Sequence, residues 1–482
     1  MESKVIIVIY ADTIFANQIK YTFDLILSTL GIEYEILNAN EINADALVIS
    51  YGHKKPDIKA NYHIHIYQSE LFGDNYMKLE SMPKLPLKRW NDLPIIYEGK
   101  GDIRDWVVRN GNIIETNIDI IASSFFMLSR YEEYLVDERD QYDRFPASAS
   151  IAYKEGFLTR PIVNEYIELL WEWIDSFNLG FQRKKLWGDK DFVACLTHDV
   201  DSVKRWNLKS IFKEIIYFNK SPIIKDNTLN VLKRKGRIVK SILSCKDPHW
   251  NFKEIIELEK QYGFSSSFYF LIGGKHKSEK NYRISDAKIQ RLIDNIKKTG
   301  CEVGLHGSFY SYNDIEILRK EKNILEKLVG KIFGIRQHFL RFDIRKTYLL
   351  YERIGIEYDT TLGYAQHEGF RTGFCLPFYP YNLDEERCFT TLEIPLNIMD
   401  GTFSDLKYKG VTHLETWNYI KSVLMTVKRH SGCIVILFHN SHLDSIEHYG
   451  YMQLYKKCLD WIKLNNGIGL SVKHLRDHYN LF

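Results

Sequence analysis

The chain has 482 residues, too many for one ordinary hydrophobic core, so two domains are the default expectation. Its 45% hydrophobic and 26% charged residues are the proportions of a soluble globular protein. The net charge is only +3, which gives no global case for a nucleic-acid partner.

The seven Cys are odd in number and contain no CxxC pair, which argues against a disulfide framework and a Cys-type structural zinc site. Val5 to Tyr10, behind Met1-Glu2-Ser3-Lys4, is too short for a signal peptide. No stretch approaches ~18 uninterrupted apolar residues, so no membrane span is expected. A cytoplasmic protein is the resulting expectation. The high aromatic content, 31 Tyr and 27 Phe, reads as core packing before carbohydrate contact. Nothing in the sequence points to an oligomeric state.

In chain order, residues 1–185 read as one α/β domain of unknown role. Val5 to Tyr10 predicts a strand, Phe15 to Leu30 a helix, and Ala46 to Ser50 and His63 to Tyr67 further short strands. No Gly-rich phosphate loop follows any of them. Ile120 to Tyr134 predicts a helix with Phe125, Phe126, Leu128 and Tyr131 inward, and Ile162 to Phe177 another. The polar, basic stretch from Gln182 to Lys190 marks the boundary. Beyond it, residues 186–482 alternate short apolar strands with helical stretches. The strands are Phe192–Thr197, Ser267–Leu271, Glu302–Leu305, Gly334–His338, Leu392–Pro395, Ile434–Phe438 and Gly469–Val472. The helices include Lys253–Tyr262, Asp286–Thr299 and Ile315–Leu328. Such alternation predicts a parallel sheet, open or closed into a barrel. A basic, helical insertion at 203–250 interrupts it. Residues 203–248 hold twelve Lys/Arg against three Asp/Glu. A solvated helical excursion is the preferred reading, and a dock for a phosphorylated lipid or nucleotide sugar the alternative.

Three strands end in polar tips: Cys195-Leu196-Thr197-His198-Asp199-Val200-Asp201, Glu302-Val303-Gly304-Leu305-His306-Gly307-Ser308 and Ile434-Val435-Ile436-Leu437-Phe438-His439-Asn440. Catalytic groups of barrel-type α/β enzymes gather at the strands' C-terminal edge. A hydrolytic zinc site takes three His, Asp or Glu ligands and leaves a position open for water. A carboxylate can then remove the water's proton while an imidazole protonates the leaving amine. Asp199, Asp201, His306, His338 and His439 supply these residue types. His198 reads as a hydrogen-bonded core group.

These motifs, in this order, resemble the polysaccharide deacetylase (NodB-homology) family, which removes N- or O-acetyl groups from sugars. Thr197-His198-Asp199-Val200-Asp201 stands for that family's Thr-Phe-Asp-Asp, with an inserted Val200. The resemblance implies Asp199 as base and Asp201 as metal ligand, roles that the insertion could exchange. His306-Gly307-Ser308-Phe309-Tyr310 stands for His-Ser/Thr-x-x-His, so His306 is a ligand and Tyr310 occupies the second His position. Arg336-Gln337-His338-Phe339 stands for Arg-x-Pro-Tyr. Arg336 would orient the base, and His338 is the proposed replacement ligand. Leu437-Phe438-His439-Asn440 supplies His439 as acid, tuned by Asp359 or its rival Asp400.

Phe125 to Glu133 and Asp143-Arg144-Phe145 resemble an uncharacterised N-terminal domain of a divergent bacterial branch of that family. Arg130, Glu132 and Glu133 there read as an interdomain ion-pair network. The expected architecture is a distorted (β/α) barrel of NodB type behind a smaller α/β domain. The expected cofactor is a divalent metal, zinc first. The expected substrate is an anionic or phosphate-bearing sugar, held by Arg371 between Gly369 and Gly373 with Tyr310 and Phe339 nearby. Hydrolysis of another C–N bond and non-catalytic glycan binding are the competing readings.

Overall fold

The computed structural model describes residues 5–10, 14–37, 46–207, 210–212, 228–244, 246–279 and 282–479. Two sheets organise them. The first has six strands. Val5–Tyr10 lies between Glu33–Ile36 and Leu47–Gly52, all parallel. Tyr62–Tyr67 and the hairpin Val107–Asn110/Ile113–Thr116 extend it. The helices Ala16–Leu30, Ile120–Leu128 and Ile162–Asp175 pack together on this unit.

The predicted helix over 120–134 is two helices, Ile120–Leu128 and Tyr131–Leu135. Arg130 breaks it with a left-handed φ of 54°. The break turns three charged side chains inward. Arg130 bonds Glu133 at 2.9 Å and Glu132 at 2.9 Å, and Arg371 grips Glu133 at 2.6 and 2.8 Å. All four side chains are buried. Burial alone would raise the Glu133 carboxyl, but Arg371 and Arg130 hold it at about 2, below its ordinary 4.5. A depressed carboxylate contributes stability above its unfolded pKa and loses it as pH falls through the folded one. The stability advantage of the wild type over Glu133→Gln should therefore shrink between about pH 4.5 and about pH 2, as urea midpoints across that range would show. An advantage independent of pH would contradict this ion pair.

The second sheet is curled and all-parallel, with nine strands. Its main path runs Leu392–Glu393, Tyr358–Asp359, Gly334–Gln337, Glu302–Gly307, Ser267–Leu271, Phe192–Val200, Cys433–Leu437 and Leu396–Met399, with Gly467–Leu470 beside Phe192–Val200. The strand expected over Leu392–Pro395 is therefore only Leu392–Glu393, and a second strand that was not expected, Leu396–Met399, follows it. Pro395 has no N–H for the ladder, so the chain kinks there. The first piece pairs with Tyr358–Asp359 and the second with Cys433–Leu437, so one broken segment forms both ends of the sheet.

Helices Phe252–Gln261, Ala287–Lys298, Ile315–Val329, His413–Arg429 and Tyr451–Leu464 flank the sheet. Ile289, Leu292, Ile293 and Ile296 show the i, i+3, i+4, i+7 spacing that buries one helix face. The opposite face carries Tyr269, Tyr358 and Val435 into a core shared with the first sheet's helices. A Cβ at Gly334 would stand 1.8 Å from the Tyr358 ring, so only glycine admits that ring. In the basic segment, Thr228–Leu243 is helical, and residues 213–227 lie outside the described residues. Among the described residues no helix is long and apolar enough to cross a membrane.

Candidate active site

Parallel strands place all their C-termini on one edge, so the polar tips must meet there. Asp199 sits at the end of Phe192–Val200, with Asp201 just beyond. His306 is the penultimate residue of Glu302–Gly307 and is in register with Arg336. His338 follows Gly334–Gln337, Asp400 follows Leu396–Met399, and His439 lies two residues past Cys433–Leu437.

Asp201 is the meeting point. Its Oδ1 lies 3.2 Å from His306 Nε2 and 3.8 Å from His338 Nε2, and its Oδ2 lies 3.7 Å from His439 Nε2. Each imidazole is fixed from behind. His306 Nδ1 donates to the Arg336 carbonyl at 2.8 Å, His338 Nδ1 to Glu279 at 2.9 Å and His439 Nδ1 to Asp400 at 2.7 Å. Back-side acceptors of this kind set the tautomer and leave Nε2 facing the site.

Asp199 accepts from Arg336 Nη1 at 3.0 Å through Oδ1, and its Oδ2 lies 3.7 Å from His306 Nε2. Arg336 is itself held by Thr197 and the Thr360 carbonyl, and its guanidinium lies over the Tyr269 ring. Burial disfavours charge on His439, yet Asp400 and Asp201 raise its pKa to about 10. Burial likewise opposes ionised Asp400, but His442 and His439 hold its carboxyl well below the usual range. Burial works against charge on His306 too, and Asp199 and Asp201 prevail, raising it. Asp201, His306 and His338 offer ligand atoms within 4.8 Å of one another. Two imidazoles with fixed back sides and a carboxylate suit a divalent ion such as zinc.

These groups line a cavity of about 280 Å³ with Phe339, Met399, Lys407, Tyr408, His442 and Arg144, the last from the first-sheet unit. Other expected site residues lie elsewhere. Arg371 is buried, with its guanidinium on Glu133 and the Gly363 carbonyl, so it is a structural cation and not a substrate clamp. Asp359 spends its carboxylate on Thr361 and Tyr351, which leaves Asp400 as the partner of His439. The Tyr310 ring is 43% exposed, packs on Phe309 and is not among the residues lining the cavity. His198 bonds Glu259 and the Phe438 carbonyl in the core.

Glu279, His442 and Arg144 were not legible as site residues. Glu279 ends the short 3-10 turn Lys277–Glu279 and belongs to no motif, and His442 and Arg144 reach the site only through folding. His442 Nδ1 lies 3.1 Å from Asp400 Oδ2, which also accepts from the His439 backbone N–H.

Residues 7–178 match a family of unknown function, DUF7033. No curated protein matches the chain. Among solved structures it is similar to a Mycobacterium smegmatis protein provisionally described as a polysaccharide deacetylase. That pair is 14% identical with a TM-score of 0.40, covering 61% of this chain and 91% of the other. A Pseudomonas aeruginosa PAO1 protein, described in the same provisional terms, is 13% identical with a TM-score of 0.41, covering 63% and 95%. Peptidoglycan deacetylase PdaC from Bacillus subtilis is 12% identical with a TM-score of 0.28, covering 60% and 92%.

Proposed function

We propose that the chain is a metal-dependent hydrolase with a NodB-type barrel that removes acetyl groups from a sugar or surface-glycan precursor. The observation that carries this reading is the convergence on Asp201 of His306, His338 and His439, each with Nδ1 fixed from behind. Asp201, His306 and His338 are the residues that would hold a divalent ion, zinc first. Such an ion supplies Lewis-acid activation of a carbonyl and of a water.

The chain's own groups do the rest. Arg336 holds one oxygen of Asp199, and the other, turned towards His306, takes a proton from the attacking water. His439, protonated and anchored by Asp400, delivers a proton to the leaving nitrogen or oxygen. Phe339 offers an apolar wall to the sugar ring. With Arg371 buried, the basic stretch at 203–248 is the feature that favours an anionic, phosphate-bearing sugar.

The test is metal content together with acetate release from nucleotide sugars and lipid-linked glycans, with and without chelator. The full chain should bind one divalent ion and release acetate, both abolished by chelator. His306→Ala should lose the ion. Absence of both metal and acetate would refute the reading. Amine release without acetate would favour the other C–N hydrolase. If His338→Ala keeps full occupancy while Tyr310→Phe loses it, the third ligand is misassigned.

A further inference from the structure

The turn that follows His338 is conformationally unfavourable on its own. Phe339 and Leu340 have φ of 61° and 57°, two successive left-handed residues that both carry a Cβ. Neither side chain can stabilise that backbone with a local hydrogen bond, as Asn or Asp can. Such conformations persist where surrounding structure over-determines them, and they concentrate at functional sites. Here the turn directly follows a side chain whose Nε2 faces Asp201.

The His276 and Phe309 rings of the same unit pack edge-on against Phe339, and the polar hold on the turn comes from the first-sheet unit, nearly two hundred residues away in sequence. Arg144 Nη1 donates to the Phe339 carbonyl at 2.8 Å. Its Nε and Nη2 are tied to Asp140 at 2.9 and 2.7 Å, and Nη2 also reaches Tyr408 at 3.2 Å. The guanidinium is thus braced on one side and engaged with the turn on the other. The Tyr142 ring stacks on Phe339 with centroids 4.9 Å apart and planes at 21°. The Tyr142 carbonyl accepts from Arg341 Nε at 2.8 Å, and Asp143 accepts from Tyr312 and from Arg341 Nη2. Residues 142–144 therefore grip the turn at Phe339 and again at Arg341, just past its end.

We propose that the first-sheet unit acts as a clamp on the cleft: Arg144 and Tyr142 are positioning residues that hold the Phe339–Leu340 turn and, through it, His338 in ligating geometry. This role rests on the metal-site reading above and gives the N-terminal unit a task in the same site. Arg144 is not an anion receptor here, because Nε, Nη1 and Nη2 are each committed within the protein.

The test uses the full chain and two readouts. The first is amide hydrogen exchange in chelator-treated protein. Arg144→Ala should speed exchange in residues 336–342 and leave the strands Phe192–Val200 and Glu302–Gly307 protected. The second is zinc affinity, which should fall about 10–100-fold, the usual cost of removing a group that orients a ligand. Arg144→Lys can reach the Phe339 carbonyl but cannot bridge to Asp140, so it should be intermediate; it also serves if the alanine variant does not fold. Phe339→Gly removes one of the turn's two φ penalties, so Arg144→Ala should cost less affinity in that background than in the wild type. Unchanged exchange at 336–342 would overturn the clamp. So would a rise spread evenly over the sheet, which marks general support, or an equal affinity loss in both backgrounds. A wild type that binds no zinc would sink the metal reading, while exchange at the turn would still decide the clamp.

Discussion

Replacing Asp199 by Asn or His439 by Ala is expected to leave the metal in place and lower turnover by about 10²–10⁴-fold. Asparagine keeps an oxygen for Arg336 Nη1, so the local packing survives while the proton acceptor disappears. Alanine at 439 removes the imidazole but leaves Asp400 its contact with His442. Neither residue belongs to the proposed ligand set of Asp201, His306 and His338. Metal analysis and acetate release, measured on the same preparations, separate the two roles. Should Asp199→Asn lose the ion while Asp201→Asn keeps it, the carboxylates have exchanged functions. Wild-type turnover in either variant would exclude the acid–base assignment.

Glu133→Ala is expected to destabilise the chain by about 3–5 kcal/mol, because it strands the Arg371 guanidinium in the interior without a carboxylate and leaves Arg130 only Glu132. Breaking one partner of a buried ion pair costs more than replacing the whole pair with apolar groups. Adding Arg371→Met to Glu133→Ala should therefore recover part of the loss. Denaturant midpoints of the two single variants and the double variant measure this. The same network makes a prediction about Arg371 that differs from substrate binding: Arg371→Ala should lower stability before it changes any Michaelis constant. A stable Arg371→Ala protein with a selective loss of affinity for charged sugars would restore the clamp reading.

Much of the candidate site's edge was readable from the linear chain. Three strands are apolar runs ending in a carboxylate or an imidazole, as in Cys433–Leu437 before His439, and Arg336 was picked out by the family resemblance. Parallel strands share one C-terminal edge, so Asp199, Asp201, His306, Arg336 and His439 had to converge once the alternation of strands and helices was recognised. Three helix positions were legible to within a residue for the same kind of reason: Phe252–Gln261, Ala287–Lys298 and Ile315–Val329 keep a helical-period stripe of mostly apolar residues, interrupted by Glu259 and Glu321.

What the linear chain could not decide was pairing between side chains far apart in sequence. Asp359 and Asp400 both follow apolar residues, and only the kink at Pro395 brings Leu396–Met399 beside the His439 strand and so puts Asp400 under that imidazole. Arg371 sits between glycines as a ligand-binding cation might, but its partner is Glu133, 238 residues earlier. The Ile120–Tyr134 pattern is helical by period, and the break at Arg130 reflects burial of charges that a periodicity cannot register. Glu279 carries no local signature, and the Asp143-Arg144-Phe145 motif gave no hint of a site role, because the two residues act by reaching His338 and the Phe339 turn through space. Local patterning sets which residues stand on the edge, since side-chain direction follows from strand period and parallel pairing alone. Which partners fix those residues is set by contacts across the second sheet, as between His439 and Asp400, and between the two sheet units, as between Arg144 and Phe339, long-range contacts that no window of sequence contains.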